Sequence, residues 1–203
     1  MSRYRGPRLR IVRRIGKLPG FTRKISKKSN PPGQHGGLDK RKKSQFNIRL
    51  KEKQKLRFHY GVTERQLLNY IKRARKKTGS SGKLLLTFLE MRLDNIIFRL
   101  GFSPTIMAAK QLINHGHVLV DGRLVNIPSF VCQPKNNLKI KTSLTSQKLV
   151  RRNLEISENY LVPQHLSLNK DNLEAKVLSL VNRKSISLII NELLVIEYYS
   201  RKL

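Results

Sequence analysis

The side chains in this sequence most able to do chemistry are its cations. The chain holds 43 Lys and Arg against 12 Asp and Glu among 203 residues, a formal charge of +31. Residues 1–83 contain 27 of those cations but only 3 of the acids. Such one-signed charge destabilises a compact chain through self-repulsion, whereas a polyanion would offset it and release counterions on binding. The composition therefore predicts a nucleic-acid partner.

Other classes of protein fit the sequence less well. There is no apolar run of the ~18 residues that a membrane-spanning helix needs, and the basic segments lack a broad apolar face for lying on a bilayer. The single cysteine, Cys132, cannot form an intramolecular disulfide or a four-cysteine zinc site. No GxxxxGK[ST] loop is present. We therefore expect no membrane partner, no metal, no cofactor and no catalytic residues. The opening segment Met1–Pro7 has no apolar signal core, so we expect synthesis in the compartment where the protein works.

The patterns along the chain predict an α+β protein. Residues 1–44 are rich in Pro and Gly and poor in apolar side chains, which predicts an extended basic arm that orders against its partner. A disordered tail is the alternative. We expect residues 45–91 to form the helical region of an N-terminal domain, residues 92–155 to form a module of helices and a hairpin, and residues 156–203 to pack back on the helical region.

Local signals refine this organisation. Thr63 and Gln66 have the spacing of a capping box at a helix start, and Ser103-Pro104 marks the start of a further helix. Asp121-Gly122 between apolar runs is a strong hairpin signal, and the run 138–141 alternates like a half-buried strand. The dense apolar pattern of residues 80–101 predicts one buried helix or two short ones. Residues 142–183 carry too weak a pattern for assignment, and residues 186–199 suggest a strand followed by a helix.

Polar residues of the predicted helix–helix–hairpin segment should lie on its outer side. Two helices that meet at a loop can space hydrogen-bond donors to match phosphates across an RNA groove. An ordinary solvated surface is the alternative, and the pattern alone does not decide between them. The residues concerned are Arg92, Asn95, Arg99, Lys110, Asn114, His115 and Arg123.

Several motifs resemble those of one protein family. Met91–Asn95, Arg99–Phe102, Gln111–His117, Val120–Arg123 and Val125–Ser129 resemble the RNA-binding module named after small-subunit ribosomal protein S4. The resemblance extends in the same order to Ser2–Pro7, Pro32–Gly36, Leu50–Gly61 and Asn191–Ser200, which resemble other parts of that family. It implies that residues 92–155 form an S4-type RNA-binding module of two helices, a hairpin and a small antiparallel sheet.

The resemblance also implies a function. Members of the family bind the 5′ domain of 16S-type rRNA, nucleate assembly of the small-subunit body and influence translational accuracy. It further implies contacts with ribosomal proteins three and five, and with messenger RNA where it enters the subunit. Lys55–Gly61 and Leu194–Arg201 resemble the plastid branch, so we expect a ribosome of the chloroplast stroma, with the bacterial cytoplasm as the alternative. Some bacterial relatives carry four zinc-binding cysteines near the N-terminus, which are missing from residues 1–44 here.

Enzymes and DNA-compacting proteins are the other classes to weigh. S4-type modules also occur in enzymes, but those need a separate catalytic domain for which this chain leaves no room. A DNA-compacting protein would account for the charge but not for the ordered motifs. The candidate rRNA-binding residues are therefore Arg3, Arg5, Arg8, Arg10, Arg13, Arg14, Gln34, His35, Lys51, Lys53, Lys55, Arg57, Tyr60, Arg73, Arg92, Asn95, Arg99, Lys110, Asn114, His115 and Arg123.

Overall fold

The computed structural model describes residues 4–36, 44–156 and 161–200. Five strands form one antiparallel sheet in the order β2-β1-β3-β5-β4, which together with the helices confirms the predicted α+β class. The chain divides into two compact units, residues 1–85 with 188–203, and residues 86–187. The elements are α1 (Arg8–Ile15), α2 (Gln45–His59), α3 (Glu64–Lys76), α4 (Ser81–Glu90), α5 (Leu93–Arg99), α6 (Ile106–Asn114), β1 (Val118–Val120), β2 (Arg123–Leu124), β3 (Asn137–Ile140), α7 (Leu144–Ile156), β4 (Leu166–Asn169), β5 (Glu174–Val177), a 3₁₀ turn (Arg183–Ser185) and α8 (Glu192–Ser200).

The start of the first unit is not the fully extended arm that the sequence predicted. Residues 8–15 are helical, and the expectation is wrong for them. Leu18 and Phe21 are buried, and the ring of Phe21 packs against that of Phe58 at 5.5 Å. The segment thus contributes apolar side chains to a core. The rest of the described segment, residues 16–36, has no helix or strand.

The core of the first unit lies among α2, α3 and α8. The capping box of α3 is confirmed, since Thr63 Oγ1 accepts from the Gln66 amide and Gln66 Oε1 accepts from the Thr63 amide. Leu67 and Ile71 are fully buried on the inner side of α3. The C-terminal helix α8 packs against α2 and buries Val195.

In the second unit α5 packs against α6, and a hairpin follows α6. Asp121 and Gly122 both have positive φ, at 48° and 79°, as a tight hairpin turn requires, so the predicted hairpin is confirmed. The Asp121 carboxylate accepts a hydrogen bond from the Asn137 amide at 2.7 Å, which ties the turn to β3. The predicted start of α6 is wrong by two residues, because Thr105 rather than Ser103 caps it through a bond from the Ala108 amide.

The described part of the weakly patterned stretch, residues 142–156 and 161–183, contains one helix and two strands. It supplies α7 and the strands β4 and β5, and β5 pairs with β3. The sheet therefore takes strands from both sides of residue 155, where the sequence analysis placed a domain boundary. Of the suggested strand and helix in residues 186–199, the structure has only the helix.

Candidate nucleic-acid interface

Helix α1 presents an exposed cationic surface. Arg10 and Arg14 lie one helical turn apart and are both exposed, as is Arg5 just before the helix. The first acidic residue of the sequence is Asp39, so no carboxylate of the same segment neutralises them. Two guanidinium groups separated by about 6 Å along a helix axis can bind neighbouring phosphates of one strand. Arg3, also a candidate, lies outside the described residues.

Two other candidates of α1 hold the local fold. Arg8 Nη1 donates to the carbonyl oxygen of Phe21 at 3.2 Å, and its guanidinium lies 5.5 Å from the centre of that ring. Arg13 Nε donates to the carbonyl oxygen of Asn30 at 2.8 Å, and Arg13 Nη2 to that of Pro31 at 3.3 Å. These contacts give Arg8 and Arg13 a structural role besides any contact with RNA.

The Gly-rich loop after Pro31 keeps its two polar candidates exposed. Gln34 and His35 are both on the surface. Gly36 is packed so tightly that an added Cβ would lie 2.1 Å from the Pro31 carbonyl oxygen, which only glycine avoids. Arg13 holds the same Pro31 carbonyl. The loop therefore has a fixed path that presents Gln34 and His35 outward.

The cations of α2 are mostly engaged with acids. Lys53 is 4% exposed and its Nζ donates to both carboxylate oxygens of Glu64, at 3.1 and 3.0 Å. Tyr199 Oη also donates to Glu64, at 2.5 Å. Partial burial alone would raise the pKa of Glu64, but the hydrogen bonds from Tyr199 and Lys53 and the charges of Lys53 and Arg57 hold it below its ordinary value. Lys53 is thus a structural residue, and its burial against Glu64 does not fit its prediction as an rRNA-binding residue.

The remaining candidates of α2 differ in their access to solvent. Lys55 Nζ pairs with Glu52 at 3.1 Å, and Tyr60 is 1% exposed, so its ring belongs to the core. Arg57 lies over the ring of Phe58 at 4.7 Å and keeps about a quarter of its side chain exposed (28%). Lys51 is half-buried. Of these four, Arg57 and Lys51 have the better access to a ligand, and the burial of Tyr60 does not fit its prediction as an rRNA-binding residue.

Helix α3 carries a stripe of exposed cations that the sequence analysis mostly missed. Leu67, Ile71 and Ala74 face the core, and the opposite side is left to basic side chains. Of these basic side chains, only Arg73 was among the predicted rRNA-binding residues. The helical spacing of the three core residues was the signal from which the others could have been found. The exposed cations of α3 are Arg65, Lys72, Arg73, Arg75 and Lys76, and none has a carboxylate partner among the described residues.

In the second unit, Arg92 faces inward. It is 2% exposed, and its Nε and Nη2 donate to the two carboxylate oxygens of Asp94 at 3.0 and 2.7 Å. Lys110 Nζ approaches the same carboxylate at 3.6 Å. Burial lowers the pKa of Lys110, while the Asp94 charge acts in the opposite direction. The prediction that Arg92 lies on an outer RNA face is wrong, because Asp94 supplies it with a buried counter-charge.

Arg99 and Asn95 are buried in a second network around Glu90. The Glu90 carboxylate, 1% exposed, accepts from Arg99 Nε at 3.2 Å and from Arg99 Nη2 at 2.7 Å. Asn95 Nδ2 donates to Glu90 Oε2 at 2.5 Å and to the Glu90 carbonyl at 3.1 Å. Ser187 Oγ accepts from Arg99 Nη1. The outward placement predicted for Arg99 and Asn95 is wrong, since both stabilise the interior of the unit.

The exposed candidates of this unit gather where α6 ends and the hairpin begins. Asn114, His115 and Arg123 are exposed. His117 lies 6.1 Å from His115, measured between ring centres. Burial, the nearby His115 and Lys141 all lower the pKa of His117.

Helix α7 packs beside this end of the unit. The Nδ1 of His117 makes a 2.8 Å hydrogen bond with Ser146 Oγ on α7. The exposed cations of α7 are Lys148, Arg151 and Arg152. The sequence analysis missed them because it assigned no element to this stretch.

Few of the described side chains could support metal binding, membrane insertion or thiol chemistry. Within the described residues no cluster of three or more His, Cys, Asp or Glu side chains could hold a metal ion, and no helix is both long and apolar enough to cross a bilayer. Cys132 is buried, and burial raises the pKa of its thiol to about 12, which leaves it protonated and unreactive. The arrangement of exposed guanidinium, ammonium, imidazole and amide groups suits an anionic polymer.

Comparison with known proteins places the chain in a family. Residues 3–90 match the model of the ribosomal protein S4/S9 N-terminal domain, and residues 91–138 match the S4 domain. The chain is 69% identical to small ribosomal subunit protein uS4c of Euglena gracilis and 56% identical to small ribosomal subunit protein uS4 of a Nostoc species. It is 55% identical to uS4c of Nephroselmis olivacea, and in all three comparisons both chains are covered completely. The chain therefore belongs to the ribosomal protein S4 family.

Proposed function

We propose that this chain is a structural constituent of the small ribosomal subunit that binds 16S-type rRNA through the exposed cations of its two units. The observation that carries the proposal is the set of cations on α1 and α3 that have no carboxylate partner among the described residues. Such one-signed charge destabilises a free domain through self-repulsion, and an anionic partner would offset it. The family consists of ribosomal proteins and not of enzymes.

The proposed binding surface does not consist of the same residues as the surface predicted from the sequence. Arg10, Arg14 and Arg73 are free to contact phosphates, whereas Arg92 and Arg99 are held by Asp94 and Glu90 and act by keeping the second unit folded. In that unit, RNA contacts fall to Asn114, His115, Arg123 and the cations of α7. Phosphate contacts of this kind fix position, and sequence or shape is read by the polar side chains.

The proposal extends to a specific rRNA domain, a role in assembly, a set of neighbours and a compartment. Family membership supports the 5′ domain of the rRNA as the primary site, a role in nucleating the subunit body and an influence on accuracy. Ribosomal proteins three and five are the expected protein neighbours, with messenger RNA near its point of entrance. The uS4c relatives favour a plastid ribosome in the chloroplast stroma, and the cyanobacterial relatives keep the bacterial cytoplasm as the alternative.

For a protein neighbour, the surface of α8 offers the exposed carboxylate of Glu197. Glu197 is half exposed and pairs with Arg49 at 2.7 Å, and Asn191 is exposed. Tyr199 is not part of this surface, since it is 2% exposed and bonded to Glu64. Glu197 is therefore the best single residue through which to test contact with a basic partner.

Sedimentation of ribosomal subunits tests the proposed function. An epitope-tagged full-length chain, expressed in a cyanobacterium, should co-sediment with the small subunit and stay there at salt concentrations that strip loosely bound proteins. A variant with Arg10→Ala and Arg14→Ala should incorporate less well, because assembly starts from phosphate contacts. Recovery of the chain only in the ribosome-free fractions would contradict the proposal.

A further inference from the structure

A cavity of about 910 Å³ lies within the second unit. Of the residues that line it, only Arg99 was among the predicted rRNA-binding residues. Its walls come from residues 161–165, which lead into β4, and from side chains of residues 179–187, which follow β5. The volume is within the range of ~300–1,000 Å³ that small-molecule sites occupy. The cavity is therefore large enough for a nucleotide.

A buried histidine without a partner lines this cavity. His165 is 4% exposed, and neither of its ring nitrogens has a hydrogen-bond partner among the described residues. Buried polar groups in folded proteins are nearly always paired, so an unpaired imidazole at a cavity wall points to a ligand that completes it.

The surroundings of His165 determine what it can bind. Burial lowers the pKa of His165, the Arg99 charge acts in the same direction and Glu90 opposes them. Arg99 is itself paired with Glu90, so this wall carries no net charge from the pair. A neutral imidazole offers one N–H donor and one acceptor. That combination suits a heterocycle edge with donors and acceptors better than it suits a bare anion.

The mouth of the cavity adds a cation and apolar surfaces. Lys184 is exposed and has no carboxylate partner among the described residues. Leu161 and Leu180 are 93% and 61% exposed, and Pro163 forms part of the wall. A flat base can lie against such apolar groups while a phosphate reaches the ammonium.

We propose that this cavity binds one unpaired nucleotide of the rRNA, with the base edge hydrogen-bonded to His165 and the phosphate at Lys184. The inference rests on the proposed rRNA binding and names a specific contact within it. Unpaired nucleotides in loops and bulges are the parts of structured RNA whose base edges a protein can read. An apolar peptide side chain would leave both nitrogens of His165 unpaired, which favours RNA as the occupant.

Photo-crosslinking tests the proposal on the full-length chain. The chain would be bound to a transcript of the 5′ domain of cyanobacterial 16S rRNA containing 4-thiouridine, irradiated, and its crosslinked peptides mapped by mass spectrometry. We expect a crosslinked nucleotide on peptides within residues 161–187. Ser179→Trp, which fills the mouth from an exposed position, should lower that yield by at least about fivefold, the smaller end of the effect of losing one base contact. Lys184→Gln should also lower the yield, because it removes the ammonium that holds the phosphate.

A matched control separates the cavity from general charge effects. Lys170→Gln removes one exposed cation of the same unit outside the cavity and should leave the crosslink unchanged. Circular dichroism should show that all three variants remain folded. Crosslinks confined to residues 4–36 would overturn the cavity proposal and leave rRNA binding intact, whereas no crosslink anywhere would overturn both. A crosslink yield that Ser179→Trp does not change would also contradict the proposal. The same holds if crosslinking of assembled subunits joins Lys184 to a peptide of a neighbouring protein.

Discussion

Replacing Arg99 by Ala should destabilise the second unit severely. The change removes both hydrogen bonds of the bidentate pair with Glu90 and the bond to Ser187, and it takes the guanidinium counter-charge away from a carboxylate that is 1% exposed. Breaking a buried ion pair from one side costs about 3–5 kcal/mol. Because the whole unfolding free energy of a domain is about 5–15 kcal/mol, this loss is a large fraction of it.

Urea unfolding of the full-length chain, followed by circular dichroism at fixed salt, measures this effect. Arg123→Ala is the matched control, since Arg123 is exposed and its loss should change stability by no more than about 0.5 kcal/mol. Arg99→Lys keeps the charge but not the bidentate geometry, so its midpoint should fall between those of Arg99→Ala and the wild type. Glu90→Gln combined with Arg99→Ala should destabilise the unit by less than the sum of the two single changes.

The reasoning would be refuted by an Arg99→Ala chain that unfolds at the same urea concentration as Arg123→Ala. That result would mean that the guanidinium of Arg99 is solvated and free to bind RNA, as the sequence pattern alone suggested. Reduced rRNA affinity of Arg99→Ala without any loss of stability would lead to the same conclusion.

Three further predictions follow from the first unit. Lys53→Ala should lower the stability of this unit by roughly 1–2 kcal/mol, because it removes two hydrogen bonds to Glu64, while Arg73→Ala should leave the urea midpoint unchanged. The pKa of folded Glu64 lies below its ordinary value of 4.5, so its contribution to stability is complete above that pH and is lost as the pH falls through the folded pKa. Glu64→Gln should therefore flatten the acid side of a plot of melting temperature against pH. Glu197→Lys should raise misreading in a reporter assay while rRNA affinity stays normal, and unchanged error rates in assembled ribosomes would remove α8 from the proposed protein interface.

The features that sequence predicted well depend on neighbours in the chain. The capping box at Thr63 and the hairpin at Asp121-Gly122 are each set by a few adjacent residues, and the structure has both. Helix α1 was missed because Pro7 and Gly16 bracket it closely, and their signal outweighed that of its apolar residues, none of which is buried.

The errors at the site have a different cause. Arg92 and Arg99 were read as surface cations from their type, but each has an acid nearby in sequence and a dense apolar run around it. A charged residue in such a run is more often a buried, paired group than an exposed one. Strand β5 could not be assigned from local pattern, because it is four residues long and pairs with β3, more than thirty residues earlier in the chain.

In the proposed function, cations without acidic partners, on α1 above all, bind rRNA phosphates. The most direct test is the slope of log Kd against log salt concentration for the full-length chain and a transcript of the rRNA 5′ domain. Arg10→Ala with Arg14→Ala should reduce the magnitude of the slope by about 1.8, since each duplex phosphate contact contributes about 0.9. Lys139→Ala should leave it unchanged, because Lys139 is already paired with Glu174 at 2.8 Å. A double variant whose slope equals that of the wild type would contradict the claim.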